Sequence, residues 1–553
     1  MTTETTLPAE SVGTHLGVDK PWRSTKPRAV VIGSGFGGLA SALRLQVTGV
    51  DTTILEALDG PGGRAGTYEA EGFTFDLGPT IVTAPHLLRE LFALTGSRLE
   101  DEVELIPLEP YYQVRFADGS HVNYGTAHGT AGESLRAQLE RLEPGAGAAL
   151  SRFLQFTARL YQRAFIELGA KDFGSVSSML GVLPDLIGLR ADRSVYSLVS
   201  RYFRDPRLRT LFSFHPLFIG GNPLRASSVY AIVPHLEQVG GVHYVRGGMH
   251  ALVKALLGAF QRSGGEVVFG ARAQEILVDD AGTAIGVSTE DGRTWPADAV
   301  ISNADTVTTY KRMVPLRWRK HWTDRRLSRL KLSMSCYLLY LGVRRQYPHL
   351  HHHTIVMPKD YPGVLTDLFD RRVMPHDIAI YLHAPSRTDP SVAPPGCETL
   401  YALVPVPHLD GRIDWATEAP RLRERVLDFL EQRLGLADLR KHIAVTHERT
   451  PVDFRDVLGS ERGAAFSIQP LLLQSAYFRP HNRSEDVRRL YIAGAGTHPG
   501  AGIPGVLLAG EISARAVLSD LLVEPSNATP NKTRHDARTG SSELPALPRK
   551  VSR

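Results

Sequence analysis

Cysteine is scarce in this chain of 553 residues, which contains Cys336 and Cys397 and no others. Two cysteines cannot form a disulfide framework or a cysteine-rich zinc cluster, so the sequence predicts a protein of the reducing cytosol. The first residues, MTTETTLPAESVG, contain acidic residues and no apolar core. A secretory signal peptide is therefore not expected.

Long uncharged segments are scarce as well. Residues 490–510 contain no Asp, Glu, Lys or Arg, but they include six glycines, two prolines and His498. A helix of this composition would be broken at several points. The segment is predicted to be a buried glycine-rich loop, and no transmembrane helix is expected.

A strong excess of one charge is also absent from the body of the chain. The net charge is +5, and residues 526–553 contribute most of it, with six basic residues against two acidic ones. A body so close to neutral does not predict a nucleic-acid surface. Hydrophobic residues make up 42% of the chain, which is typical of a globular protein. We expect residues 1–27 and the basic tail at 523–553, which is rich in Ser, Thr, Asn and Pro, to be disordered extensions of it.

Three glycines form a dinucleotide-binding pattern. Gly33, Gly35 and Gly38 follow an apolar β-branched run at 29–32 and precede a helical pattern. Glu56 ends the next apolar run, where its carboxylate can accept hydrogen bonds from a ribose and would repel a 2′-phosphate. This order of strand, loop, helix, strand and acid predicts a Rossmann-like βαβ unit that binds FAD or NAD rather than NADP.

Two further glycine-rich segments favour FAD over NAD. Gly62, Gly63 and Arg64 offer a backbone and a planar cation for a second phosphate contact. A loop near the C-terminal end, with Gly496, Thr497 and Gly505, precedes a helical pattern. Its backbone amides are predicted to lie against the flavin and its ribityl chain.

The α/β pattern is discontinuous along the chain. Residues 28–105, 240–310 and 485–522 are predicted to build one doubly wound nucleotide-binding domain. The intervening residues 106–239 and 311–484 are predicted to build a second domain.

Several blocks resemble the bacterial and fungal phytoene desaturases, carotenoid desaturases of the flavin amine-oxidase-like superfamily. The resemblance extends from about residue 28 to 520. Apart from the glycine motifs, it rests on FDLGP (75–79), FSFHPLFIGGNPLRASS (212–228), YVRGGM (244–249), SNAD (302–305), APPGCETLYALVPVPHL (393–409) and a block within 475–506 that includes GAGTHPGAGIPGV.

The resemblance implies an FAD-binding Rossmann-like domain with an inserted α+β domain that contacts substrate and membrane. Phytoene would lose pairs of hydrogens in successive steps and become neurosporene, lycopene or a more unsaturated carotene. Flavin would accept hydride, and quinone or oxygen would reoxidise it. The protein would be cytoplasmic and peripherally associated with a membrane, with phytoene and partly desaturated carotenes as ligands.

No catalytic residue can be assigned from the sequence. Some relatives carry an Arg-Asp pair where this chain has Ser177 and Ser178. Three candidates remain. For Asp76 we favour a role in ordering its loop over a role in catalysis, and His498 lies in the glycine-rich loop. Glu237 could face the substrate or cap a helix.

Two clusters have competing interpretations. The first is an aromatic cluster that either lines a polyene channel or belongs to the ordinary core; its members are Phe203, Phe212, Phe214, Phe218 and Tyr230. The run His351, His352 and His353 is interpreted as a surface or strand-edge segment without a metal, because three successive histidines cannot all reach one ion from regular structure.

A substrate dissolved in lipid requires an apolar opening onto the membrane. Residues 183–189, 211–224 and 468–477 are the candidate contact segments, and each taken singly is equally consistent with the ordinary core of the second domain. The alternative functions are desaturation of C30 dehydrosqualene or of a hydroxylated carotenoid, carotene isomerisation, amine oxidation, and flavin-free binding of a prenyl lipid. The blocks GNPLRASS and LVPVPHL argue against amine oxidation, and the intact phosphate-binding glycines argue against the flavin-free protein.

Overall fold

A computed structural model describes residues 26–126 and 133–522. The disordered extensions predicted for residues 1–27 and 523–553 lie almost entirely outside these residues. None of the described helices is long and apolar enough to cross a bilayer.

Strands and helices are interspersed along the described residues. The strands are, in chain order, β1 (Arg28–Ile32), β2 (Asp51–Leu55), β3 (Thr67–Ala70), β4 (Phe73–Asp76), β5 (Leu105–Pro107), β6 (Tyr112–Arg115), β7 (His121–Tyr124), β8 (His243–Val245), β9 (Glu266–Val268), β10 (Ala273–Val278), β11 (Ala284–Thr289), β12 (Thr294–Pro296), β13 (Ala299–Ser302), β14 (Ser335–Val343), β15 (His353–Val356), β16 (Ile380–His383), β17 (Glu398–Val406), β18 (Ile443–Arg449) and β19 (Leu490–Ile492).

The α-helices are α1 (Phe36–Val47), α2 (Pro85–Ala93), α3 (Leu99–Glu102), α4 (Leu135–Leu142), α5 (Ala146–Leu160), α6 (Val176–Leu180), α7 (Leu183–Gly188), α8 (Val195–Val199), α9 (Pro206–Ser213), α10 (Val233–Gly240), α11 (Met249–Arg262), α12 (Thr306–Thr308), α13 (Asp324–Ser328), α14 (Tyr361–Thr366), α15 (Trp415–Arg433), α16 (Leu439–His442), α17 (Pro451–Asp456) and α18 (Ile503–Leu522). Short 3₁₀ segments include Gly63–Ala65, His215–Ile219, Ser228–Ile232, Leu472–Gln474 and Ala476–Phe478.

A parallel five-stranded sheet, in the order β19-β13-β1-β2-β9, forms the first layer. Its strands come from residues 28–55, 266–302 and 490–492, which are far apart in sequence. Helix α1 is buried against the sheet between α11 and α18. Because the strands are parallel, the loops that follow β1, β2, β13 and β19 meet at one edge of the sheet, where α/β folds bind nucleotides.

A mixed seven-stranded sheet, in the order β18-β14-β17-β16-β15-β6-β7, forms the second layer. All nine residues of β14 are buried, because the cluster around α15 covers one face and a second cluster with β4 covers the other. Helices α4, α5, α8 and α9 pack with β6 and β7 in one apolar core. The predicted fold class, a doubly wound α/β layer from discontinuous segments with an inserted α+β unit, is confirmed, while the exact domain boundaries stay predictions.

Candidate active site

The loop after β1 forms a glycine cradle at the sheet edge. Gly33 has φ +92°, a backbone conformation that residues other than glycine rarely adopt. A Cβ at Gly38 would lie 2.0 Å from the Gly33 carbonyl oxygen, so the start of α1 and the end of β1 can approach this closely only with glycine. Gly33 and Gly35 line a cavity, and the N-terminus of α1 faces it with its backbone amides.

Glu56 lies directly after β2 and lines the same cavity. Its Oε2 accepts hydrogen bonds from the Ser34 amide at 2.8 Å and from the Ser34 hydroxyl at 2.6 Å. Its Oε1 accepts from the Leu58 amide at 3.0 Å. The carboxylate is thus held in a fixed orientation beside the glycine cradle.

The predicted second phosphate contact also lines the cavity. Gly62 has φ +108° and Gly63 has φ +56°, so both adopt left-handed conformations in the tight turn before Arg64. The Nη2 atom of Arg64 donates to the Ser460 hydroxyl at 2.8 Å, whereas the buried Nε atom of Arg64 has no partner. Burial lowers the pKa of Arg64, which is partly offset by the nearby Asp305 carboxylate. An unpartnered buried guanidinium nitrogen is a site for an anionic ligand.

The glycine-rich loop between β19 and α18 closes the cradle. Gly496 and Gly505 line the cavity, and a Cβ at Gly505 would lie 2.6 Å from the Gly500 carbonyl oxygen. Thr497 was predicted to contact the cofactor, but its hydroxyl donates to the Pro480 carbonyl at 2.6 Å and its side chain does not line the cavity. Contact between Thr497 and the cofactor stays a prediction.

Asn303 is a site residue that the sequence interpretation missed. It follows β13, which pairs with β1 in parallel, and its Oδ1 accepts from the Gly38 amide at 2.6 Å. The SNAD block at 302–305 is the signal that could have identified it, since this block follows a strand that ends at the same sheet edge.

A cavity of about 830 Å³ extends from the glycine cradle into the second layer. Its far end reaches α6 and α7, where Met179 and Leu186 line it. Between the two ends the lining is mainly apolar and includes Leu217, Phe218, Ile355, Met357, Tyr381, Leu403 and Phe466. The cavity therefore joins a nucleotide-binding cradle to a long apolar chamber.

The aromatic cluster divides between the two interpretations. Phe214, Phe218 and Tyr230 line the cavity. Phe203 and Phe212 are buried and stack on each other with ring centroids 4.6 Å apart, and they do not line the cavity. The chamber is thus built on an aromatic core instead of being separate from it.

Glu237 lies in α10 and faces the cavity, so it does not cap that helix through its side chain. It is fully buried, and its Oε1 accepts from the Tyr112 hydroxyl at 2.6 Å. His215 Nε2 lies 3.3 Å from the other carboxylate oxygen. Burial, and then the Glu237 carboxylate, raise the pKa of Tyr112 well above its usual value, so the tyrosine stays a hydrogen-bond donor.

The two other candidates, Asp76 and His498, lie differently relative to the cavity. Asp76 Oδ1 accepts from the Met249 amide at 2.8 Å at the N-terminus of α11, burial raises its pKa to about 7, and its side chain does not line the cavity. His498 lines the cavity with its ring edge-on to Phe173 at a centroid distance of 4.8 Å. Burial lowers the pKa of His498 to about 4, so the imidazole is neutral at pH 7.

The histidine run does not lie on the surface, so that interpretation is wrong. His352 and His353 are buried, and His353 pairs with His383 of β16. Strand β15 lies between β16 and β6, with both of its edges paired. The interior position of this strand buries histidines that the sequence pattern placed at an edge.

The three predicted membrane-contact segments behave differently. Residues 211–224 are mostly buried and belong to the core around β6 and β7, so the prediction of an exposed contact is wrong there. Residues 183–189 and 468–477 supply exposed apolar side chains that share one groove with α6. Ser177 is exposed and Ser178 is half-buried on α6 beside this groove, where both hydrogen-bond Ser175.

Comparisons with known proteins give a consistent family. The family described as flavin containing amine oxidoreductase matches residues 36–518. A phytoene desaturase (lycopene-forming) of Pseudescherichia vulneris is 43% identical over 495 residues, which cover 89% of this chain and 99% of that protein. A phytoene desaturase (neurosporene-forming) of Cereibacter sphaeroides is 42% identical over 497 residues, which cover 89% of this chain and 95% of that protein. The crystal structure of an oxidoreductase from Methanosarcina mazei matches with a TM-score of 0.59 at 17% identity, covering 89% of this chain and 100% of that one.

Proposed function

The chain belongs to the flavin containing amine oxidoreductases, among them to the carotenoid desaturases, and we propose that its apolar chamber holds phytoene beside FAD while pairs of hydrogens are removed. Successive steps yield neurosporene, lycopene or a more unsaturated carotene. The observation that carries this assignment is the continuous cavity from the glycine cradle to the apolar chamber. A nucleotide-binding protein without a lipid substrate has no need of such a chamber.

The residues of the cradle fit FAD. The close approach at Gly33 and Gly38 leaves room for a pyrophosphate over the N-terminus of α1. Glu56 would accept hydrogen bonds from the adenosine ribose, and the unpartnered Arg64 Nε is available to a phosphate or to the flavin. When bound, FAD supplies the hydride acceptor for a hydrocarbon that has no acidic hydrogen.

Glu56→Arg is expected to weaken FAD binding about 10–100-fold. The substitution removes an acceptor of charge-assisted hydrogen bonds, each of which contributes about 1.5–3 kcal/mol, and places a bulky cation at the ribose. Titration of the apoprotein with FAD, followed by flavin fluorescence, measures the change.

The matched control for this variant is Asp59→Arg. Asp59 is exposed and lies three residues from Glu56, so the same charge change there leaves the ribose position intact. Equal FAD affinity of Glu56→Arg and Asp59→Arg would refute the ribose assignment.

The walls of the chamber position the substrate and keep water away from it. Its apolar and aromatic walls hold a long hydrocarbon in line and exclude water from the positive charge that hydride removal leaves on the substrate. Among the cavity residues, Glu237 offers a carboxylate oxygen that can take up the second hydrogen as a proton.

We also propose that the groove at α6 and α7 rests on a membrane and admits phytoene. Val176, Leu180, Leu183 and Ile187 are exposed there, as are Leu473 and Phe478 from the facing 3₁₀ segments. The apolar chamber continues to this groove, since Met179, Leu186 and Leu472 line both. A hydrocarbon insoluble in water can pass from a bilayer into the chamber without crossing an aqueous phase. The scarcity of cysteine supports a cytoplasmic membrane face.

The double variant Ile187→Asp with Leu473→Asp is expected to lose vesicle binding about 100-fold or more. Ile187 is 71% and Leu473 72% exposed, so the substitutions leave the core intact. Transfer of each side chain out of water contributes roughly 1.5–3 kcal/mol, and charged replacements oppose insertion. Flotation with phosphatidylcholine vesicles measures the loss.

The double variant Leu316→Asp with Ile285→Asp serves as the control, because these exposed apolar side chains lie outside the groove. It is expected to float like the wild type. If the groove variant also floats normally and converts phytoene from vesicles at the wild-type rate, the opening is elsewhere.

The groove bears on the electron acceptor too. We propose that a lipid-soluble quinone, or oxygen, reoxidises the flavin, because both dissolve in the membrane phase that the groove would face. Mixing the photoreduced enzyme with a quinone and, separately, with air-saturated buffer gives the two reoxidation rates. Reoxidation by neither, together with rapid reoxidation by NADP⁺, would exclude this proposal.

Expression in a phytoene-accumulating bacterial host tests the function directly. The extracted pigments are expected to absorb as neurosporene, lycopene or a more unsaturated carotene. Conversion of a C30 substrate in place of phytoene would select the alternative desaturase activity. Phytoene left unchanged by a yellow, FAD-loaded protein would contradict the assignment.

A further inference from the structure

Three buried histidines meet at one point of the second layer. His352 and His353 lie at the start of β15, and His383 lies opposite His353 at the end of β16. One ring nitrogen from each lies within 4.8 Å of the other two, and the Nε2 atoms of His352 and His383 are 3.1 Å apart. The first two are drawn together by the chain and the third by strand pairing.

The hydrogen bonds of these rings leave nitrogen lone pairs directed inward. His352 Nδ1 lies 2.7 Å from the Thr388 hydroxyl, and His353 Nδ1 lies 2.7 Å from the Tyr381 hydroxyl. In the tautomer with protons on both Nδ1 atoms, the Nε2 lone pair of His352 faces the Nε2 of His383. The Nε2 of His353 has no partner, although the residue is 1% exposed. A buried polar atom left without a partner costs about 1–3 kcal/mol, so a ligand is expected at this point.

We propose that His352, His353 and His383 bind one Zn²⁺ ion. Neutral imidazole nitrogen is among the ligands that zinc prefers, and zinc–nitrogen bonds of about 2.0–2.1 Å place tetrahedral ligand atoms about 3.3 Å apart. The 3.1 Å spacing of the His352 and His383 Nε2 atoms is close to this value, and one ring nitrogen of His353 lies within 4.8 Å of a nitrogen of each.

The surroundings suit a bound cation. Histidine ligands are normally oriented by a hydrogen bond from the second ring nitrogen, and here Thr388 and Tyr381 provide these bonds. The buried carboxylate of Asp389 lies close enough to His352 to oppose the lowering of its pKa by burial. It supplies negative charge against the cation.

The ion would fasten β15 to β16 and to the segment at residue 388. Ile355 of β15 and Tyr381 of β16 line the apolar chamber, so the site stiffens one chamber wall. This inference reverses the expectation that the histidine run binds no metal. It does not depend on which substrate the chamber holds.

Metal analysis of the FAD-loaded protein tests the proposal. The chain is prepared without a polyhistidine tag, dialysed against Zn²⁺, desalted and analysed by mass spectrometry for zinc. We expect one zinc per chain in the wild type and less than about 0.2 in His383→Gln and in His353→Gln. His376→Gln, at an exposed histidine, is expected to keep one zinc. Flavin absorbance verifies that each variant is folded.

X-ray absorption at the zinc edge of the unmutated protein keeps the test decisive if a variant fails to fold. Three imidazole ligands at about 2.0 Å are expected. A wild type that retains less than about 0.2 zinc per chain would overturn the proposal and leave a metal-free hydrogen-bonded histidine cluster. Zinc ligated chiefly by oxygen or sulfur would overturn it as well.

Discussion

Replacing Gly38 with alanine is expected to give a colourless protein without FAD and without desaturase activity. The new Cβ would lie 2.0 Å from the Gly33 carbonyl oxygen, and backbone on both sides has no room to move because β1 pairs with β2 and with β13. Separation of α1 from β1 would misplace the amides over which the pyrophosphate lies. The ratio of absorbance at 450 nm to that at 280 nm measures the bound flavin, and we expect at least a ~100-fold loss of affinity.

Gly60→Ala is the matched control, because a Cβ at Gly60 meets no atom within 4 Å. It lies in the turn between β2 and the Gly62–Arg64 segment and is expected to bind FAD normally. Circular dichroism of both variants separates loss of the cradle from loss of the fold. A yellow, active Gly38→Ala protein would show that the pyrophosphate does not lie over this loop.

The cradle around Gly33 and Glu56 was predictable because its determinants are local. An apolar run, a glycine loop, a helical pattern and a second apolar run follow one another within about thirty residues, and each restricts the backbone near it. Asn303 was missed for the opposite reason. It reaches Gly38 across 265 positions of sequence, through the parallel pairing of β1 with β13, and no local pattern encodes that pairing.

The wrong predictions for residues 211–224 and for the histidine run have a common physical cause. Residues 211–224 were expected at a membrane because they are apolar and uncharged, but a buried core selects the same composition. The histidines were expected at a surface or strand edge, whereas His353 begins an interior strand, β15, and His352 directly before it is buried as well. In both cases the neighbours, and not the residues themselves, decide exposure.

Glu237 illustrates what the structure adds. Sequence alone left two roles open, and the fold places its carboxylate on the cavity wall, fully buried, with Oε1 held by Tyr112 and with His215 Nε2 3.3 Å from Oε2. A buried carboxylate that faces an apolar chamber is costly unless it is used or neutralised. Its position on the cavity wall supports a part in the reaction.

Glu237→Gln is expected to lower kcat about 100-fold with FAD content and KM nearly unchanged. Glutamine keeps the volume and can still accept from Tyr112, but its amide cannot take a proton from the substrate, and a positioned general base contributes about 10²–10⁴-fold. Tyr112→Phe removes one hydrogen bond that orients the carboxylate and leaves the one from Tyr124, so a smaller decrease of about 10-fold is expected. Single-turnover reduction of the flavin by phytoene in detergent measures both rates.

Glu398→Gln controls for the loss of a buried carboxylate as such. Glu398 is 1% exposed and accepts from the Tyr347 amide at 2.6 Å, but it does not line the cavity. Its substitution is expected to affect stability and to leave kcat within about two-fold of the wild type. If Glu237→Gln retains more than half of the wild-type kcat, the carboxylate only supports the chamber wall, and the proton leaves the substrate by another route. If all three variants lose kcat in proportion to their flavin content, the effect is on folding, and the same conclusion holds.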